Sequence, residues 1–171
     1  MISIFRINDL IDLPVIDKVS AQRLCTIKDV IIDMKEYRIH ALICRERFLG
    51  RSFEALLFKN VEAISQNGIT VTGRAGRMNI RNLMAERRRF QSYQGILGKV
   101  VQSSKGEPMG IIRDILVDTS TGIIKAYELS DGYFDDFLRG RRIVELGHVH
   151  TLTEKNVDIK GNTAQYTFET K

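Results

Sequence analysis

Four sets of residues in this chain have the types that chemistry uses, and spacing decides what each could do. Six arginines, Arg74, Arg77, Arg81, Arg87, Arg88 and Arg89, fall in one short stretch whose one acid is Glu86. Six arginines less one glutamate leave +5, the charge of the entire 171-residue chain, so the remainder is balanced and the excess is local. Such a cluster either solvates a connector and complements the C-terminal end of a helix, or forms a contact surface for an anionic partner such as RNA, an acidic protein or a lipid headgroup. Aromatic side chains for stacking bases stand only at its end, Phe90 and Tyr93. Asp29 with Asp33, and Asp114 with Asp118, suggest paired carboxylates. Four residues along a strand is about 13 Å, beyond hydrogen-bond reach, so they read as residues that end strands and open turns. His148 and His150 would share one strand face, but only Glu145 and Glu154 flank them, loosely, and no metal site is expected. Cys25 and Cys44 suit small apolar positions, and His40, four residues before Cys44, is again about 13 Å away on a strand. Gly95-Ile96-Leu97-Gly98-Lys99 precedes a strand and is no phosphate loop. The reading is of no enzyme and no cofactor. Tyr133, Phe134 and Phe137 form either an aromatic docking patch or a short plug over a barrel mouth, and burial of three aromatics favours the plug.

The elements that position these residues follow from an internal repeat. A shift of 85 residues superimposes Ile27-Lys28-Asp29-Val30-Ile31-Ile32-Asp33 on Ile112-Arg113-Asp114-Ile115-Leu116-Val117-Asp118, each position identical or conservatively replaced. The same shift pairs Ile39 and Ala41 with Ile124 and Ala126; with three more residues in the second copy, Ile69-Thr70-Val71 meets Val157-Asp158-Ile159. Each copy is a series of short β-branched runs broken by turn chemistry, which predicts strands. Asp118-Thr119-Ser120-Thr121-Gly122 is one such break; the first copy has Asp33-Met34-Lys35-Glu36-Tyr37 there and must turn without glycine. Alternation is imperfect in the matched run, which predicts a bulge or burial of both strand faces. After Gly161-Asn162, Tyr166 and Phe168 should return as an additional strand. The expected architecture is all-β: two tandem small β-barrels, residues 1–73 and 93–171, joined over 74–92 by a short basic linker helix. Asn79 would cap that helix and Ile80 to Phe90 form it, with Ile80, Leu83, Met84 and Phe90 on the face that seats on a barrel.

Val100-Val101, then Gly106-x-x-x-Gly110-Ile111-Ile112-Arg113-Asp114-Ile115-Leu116-Val117-Asp118 and Gly122-Ile123-Ile124-Lys125-Ala126, resemble the PRC-barrel pattern. That family is named for the photosynthetic reaction centre H subunit and supplies the C-terminal domain of the ribosome-maturation factor RimM. Leu57-Phe58-Lys59-Asn60-Val61-Glu62-Ala63-Ile64 is similar to a later strand of the pattern, with Leu57 in place of a usual proline, and Cys25 stands where the second copy has Gly110. The resemblance covers nearly the whole chain as a tandem pair, and neither the H subunit's membrane anchor nor the separate N-terminal domain of RimM is expected. It implies docking through protein–protein contact, and by analogy with RimM an alternative of RNA or ribosome association through the arginine-rich linker.

Composition agrees with a globular chain, 43% hydrophobic and 27% charged. No apolar run approaches the roughly 18 residues of a membrane span, and Arg6 and Asp9 interrupt the N-terminal apolar stretch, so neither a span nor a signal peptide is expected. The reading is a cytoplasmic, non-catalytic adaptor with a protein partner and scope for self-association.

Overall fold

A computed structural model describes residues 4–46, 53–72, 77–80, 83, 85–86, 88–103, 105–130, 142–145, 149–152, 156–159 and 166–167. The first copy contributes β1 (Ile4–Arg6), β2 (Pro14–Asp17), β3 (Arg23–Asp33), β4 (Arg38–Glu46), β5 (Phe53–Leu57), β6 (Val61–Ser65), β7 (Gly68–Val71) and β8 (Arg77–Asn79), with single 3-10 turns at Ile7–Leu10 and Phe58–Asn60. After β9 (Phe90–Ser92) and a helical turn α1 (Tyr93–Ile96) come β10 (Val100–Ser103), β11 (Pro108–Asp118), β12 (Ile124–Ser130), β13 (Arg142–Glu145), β14 (Val149–Leu152), β15 (Asn156–Ile159) and β16 (Tyr166–Thr167). Contacts divide the chain into two compact units, Met1–Gln94 with Val117–Ile123, and Gly95–Leu116 with Ile124–Lys171.

The duplication read from residues is equally plain in the pairing of strands. One sheet runs β6-β7-β2-β3-β4-β5-β8 and the other β14-β15-β10-β11-β12-β13-β16, the same order with each strand replaced by its repeat equivalent. In both, the second strand of the copy lies parallel to the late one: Val15 opposite Ile69, and Val101 opposite Val157. In both, the pairing onto the long strand slips by one residue at the same place, between Val15 and Ile16 and between Val101 and Gln102.

Both explanations for the broken alternation hold. Ile27 faces Cys44 but Asp29 faces Ile43, so Lys28 is an extra residue on β3; Ile31 faces Ala41 but Ile32 faces Ile39, so His40 is an extra residue on β4. Beyond the first bulge, Val30 to Asp33 are buried without interruption, as a strand covered on both faces must be. On one side lies the apolar interior, including Ile27, Val30, Leu42 and Ile69. On the other, Ile31, Ala41, Ile43 and Ala55 pack with Leu83 and Phe90, and Leu57 and Ile80 close over them. Ile80, Leu83 and Phe90 of the linker therefore seat on the sheet, as their spacing predicts, and Met84 lies outside the described residues.

The linker itself differs from the expected helix. Residues 77–79 form β8, which pairs with β5 as β16 pairs with β13. Helical backbone occurs at Ile80 and Leu83, but the chain turns at Ala85-Glu86 and Arg88-Arg89 and enters β9 at Phe90, while Asn79 ends β8. The reason is competition for backbone groups. Met34 donates its N–H to the Arg89 carbonyl at 2.7 Å, and Asp33, Ile32 and Ile31 take Phe90, Gln91 and Ser92 as ladder partners, which a helix reaching Phe90 would forgo. The additional strand expected near the C-terminus is β16, although Phe168 lies outside the described residues.

Candidate functional site: a cationic cluster around His40

Asp33 ends β3 and is buried, with 3% of its surface exposed. Its Oδ1 accepts the N–H groups of Lys35 at 2.9 Å and Glu36 at 3.2 Å, which shapes the turn into β4. Its Oδ2 accepts from Arg89, Nε at 3.1 Å and Nη2 at 2.9 Å. A buried carboxylate needs such partners. Burial alone would push this carboxyl up, but Arg89 and the two backbone N–H groups outweigh it and hold it below the ordinary carboxylate value. Asp29, four residues earlier, goes the other way: burial raises it, against the N–H groups of Val30 and Gln94 and the side chain of Ser92.

Arg89 also lies 4.9 Å from the Phe90 ring centroid, and the His40 ring lies 4.5 Å from the same centroid, tilted by 39°. Phe90 is thus bracketed by a guanidinium and an imidazole. His40 is half-buried because the β4 bulge inserts it between buried Ile39 and Ala41. Burial lowers the His40 imidazole below its ordinary value; the charges of Arg89, Arg38 and Lys59 lower it further, against the opposing pull of Asp33. Arg38 and Lys59 are exposed, and Arg38 Nη2 donates to the Thr121 carbonyl at 2.7 Å. Next to them, Gly122 closes the equivalent turn of the second copy in unit one, its carbonyl accepting the Ile39 N–H at 2.8 Å.

Of the arginines singled out in the sequence, Arg88 is exposed in a turn, Arg89 is bonded to Asp33, and Arg77 stands in β8. Arg74, Arg81 and Arg87 lie outside the described residues, as do Tyr133, Phe134, Phe137 and His148. Asp33 and Asp118 end their strands and open turns as expected, but Asp29 and Asp114 do not: β3 and β11 run on past them for four residues, and both carboxylates bond inside the strand. Asp29 and Asp114 each accept the N–H of the next residue at 2.8 Å, while Asp33 and Asp118 each accept an N–H two residues on at 2.9 Å. Cys25 and Cys44 are buried and reduced. Among the described residues no group of acids, histidines and cysteines is placed to hold a metal, and no helix is long and apolar enough to cross a membrane.

Sequence reasoning weighed His40 only against Cys44 and did not join it to Asp33, Lys59 or Arg89. A 56-residue separation between Asp33 and Arg89 leaves no local spacing to read. One signal was available: the 85-residue shift places Lys125 on His40, a polar residue between two buried neighbours in both copies.

Comparison with known proteins bears directly on the duplication. The PRC-barrel domain family matches residues 3–78 and again 91–166. The chain is also 26% identical over 132 residues to the uncharacterized protein YrrD of Bacillus subtilis (strain 168), a match covering 77% of this chain and 73% of that protein.

Proposed function

The chain belongs to the PRC-barrel domain family in two tandem copies, and from that premise we propose that it is a non-catalytic, cytoplasmic adaptor that docks on a larger protein. The observation that carries this reading is the use made of its reactive groups. The recurring carboxylates accept backbone N–H groups at equivalent positions of both copies, and both thiols are buried. These are structural commitments, and they favour work done through outer surfaces. The exposed charge near Arg88 and Arg89 supports a second reading, an RNA- or ribosome-associated factor.

One experiment separates them. The tagged full chain is used to capture partners from native lysate, with and without nuclease, beside a variant carrying Arg74→Glu, Arg81→Glu, Arg87→Glu and Arg88→Glu. Arg89 is left intact because it holds Asp33. A protein that stays bound after nuclease is the outcome for an adaptor. Capture that nuclease and charge reversal both abolish replaces that reading with the RNA one.

A further inference from the structure

We propose that the cations gathered around His40, namely Arg38, Lys59 and Arg89, form a seat for an acidic segment of a partner protein. The proposal rests on the adaptor reading and names the chemistry of what docks. Three observations converge on it. The β4 bulge sets His40 out of register and against Phe90, while Arg38, two residues earlier, is exposed and held in place by the Thr121 carbonyl. A bulge is a means of re-aiming a side chain. Lys59, in the middle of the 3-10 turn that packs on β4, is exposed and close enough for its charge to bear on His40, as do those of Arg38 and Arg89. Among the described residues, Asp33 is the carboxylate that bears on His40, and it is buried and answered by Arg89; Glu36 and Glu86 bear on Arg89.

The geometry favours carboxylates over nucleic acid. Binding of single-stranded RNA uses aromatic faces on which bases stack. Phe90 is 7% exposed, and its ring is already bracketed by His40 and Arg89. What remains is the exposed Arg38 guanidinium, held by the Thr121 carbonyl, and the exposed Lys59 ammonium, which pair with carboxylates through charge-assisted hydrogen bonds. His40 adds a pH dependence. Neutral at neutral pH because burial and three cations oppose its charge, it gains a proton on acidification, and a bound acidic segment makes that gain easier. Binding should therefore tighten as pH falls.

The test uses the full chain and poly-aspartate, whose carboxyls stay ionised through the imidazole range, beside a single-stranded RNA of matched length. Arg38→Gln with Lys59→Gln should weaken poly-aspartate binding by about fivefold to tenfold, the sum of two exposed ion pairs, with the melting curve unchanged. Lowering pH from about 7.5 to about 5.5 should tighten wild-type binding by roughly threefold, and His40→Gln should remove that change while keeping the neutral-pH affinity. Loss of neither in the variants overturns the site. RNA bound more tightly than poly-aspartate, with the same sensitivity to Arg38→Gln and Lys59→Gln, overturns the partner class. If either result appears while a protein partner is still captured from nuclease-treated lysate, the adaptor reading stands and only this seat fails.

Discussion

The turns that close the two long hairpins, 33–38 and 118–123, begin alike and finish differently. Each opens with an aspartate whose Oδ1 accepts the N–H two residues on, at 2.9 Å in both. Each ends on a residue with left-handed backbone, Tyr37 at φ +48° and Gly122 at φ +73°. At Gly122 two demands coincide, since a Cβ there would also lie 2.5 Å from the Phe58 ring. At Tyr37 only the backbone makes a demand, and the first turn is held by Arg89 on Asp33 and by the Arg89 carbonyl on Met34. The opening of the turn was kept through duplication while its closure diverged. At the first turn the linker's arginine, and with it Phe90, lies against the first sheet and beside His40.

The sharpest way to break the comparison is to abolish what only the second turn needs. Gly122→Ala should destabilise the protein by about 2–4 kcal/mol, combining left-handed strain for an L side chain with overpacking against Phe58. Urea denaturation checks this. The companion Phe58→Leu with Gly122→Ala should recover part of the loss, because the steric half is relieved and the backbone half is not. Full additivity would mean that the close approach of Phe58 carries no energy.

The next test removes the tether on the first turn. Arg89→Ala should lower stability, by less than Gly122→Ala, since the guanidinium is partly exposed and screened. Its fingerprint is in the pH dependence. Asp33 has a folded value below its unfolded one, so the stability it contributes is fully present above the unfolded value near pH 4 and is lost as pH falls through the lowered folded value. Without Arg89 the opposing effect of burial gains weight, and the acid-dependent loss below about pH 4 should shrink. Denaturation series across the acid range, wild type beside Arg89→Ala, read this directly; parallel curves would show that Asp33 draws nothing from the arginine.

A milder test concerns the sheet rather than the turn. The register places Cys25 and Cys44 diagonally on one face of β3 and β4, since Ile27 lies opposite Cys44 and Cys25 opposite Glu46. The 85-residue shift carries them to Gly110 and Leu129, a small and a large residue in place of two of middle size. If the thiols are packing, volume is being traded across the diagonal. Cys25→Gly and Cys44→Leu should each cost about 1–2 kcal/mol, one from a void and one from overpacking, and the double variant should cost less than their sum by about 1 kcal/mol.

These comparisons were available because the duplication was legible. Matching Ile27–Asp33 with Ile112–Asp118 was enough to anticipate equivalent strands, the turn-opening aspartates and the glycine that the first copy lacks. The apolar spacing of Ile80, Leu83 and Phe90 likewise showed that the linker packs down. What was not legible depends on distant partners. Nothing near Arg89 announces that its carboxylate is Asp33, and nothing near Phe90 announces that β3 offers it a ladder position, so a helix that local pattern supports gives way to a strand. His40 was hidden for a related reason: a one-residue bulge, visible only once both strands are paired, decides which way it faces.

The smallest effect is the most direct reading of the difference between the turns. Tyr37 holds a backbone conformation that costs an L residue about 1–2 kcal/mol, and its equivalent in the second copy is glycine. Tyr37→Gly removes that strain but adds chain entropy to the unfolded state, about 0.5–1 kcal/mol, and gives up the contacts of a half-buried ring. The net change should be a gain of about 0.5 kcal/mol or less. Its value lies in the coupling with Arg89→Ala. If the tether exists to hold a turn strained at Tyr37, Arg89→Ala should cost less in the Tyr37→Gly background than in wild type, by an amount a double-mutant cycle resolves. If the two changes add, Arg89 serves the buried charge of Asp33 alone, and the strain at Tyr37 is borne by the rest of the hairpin.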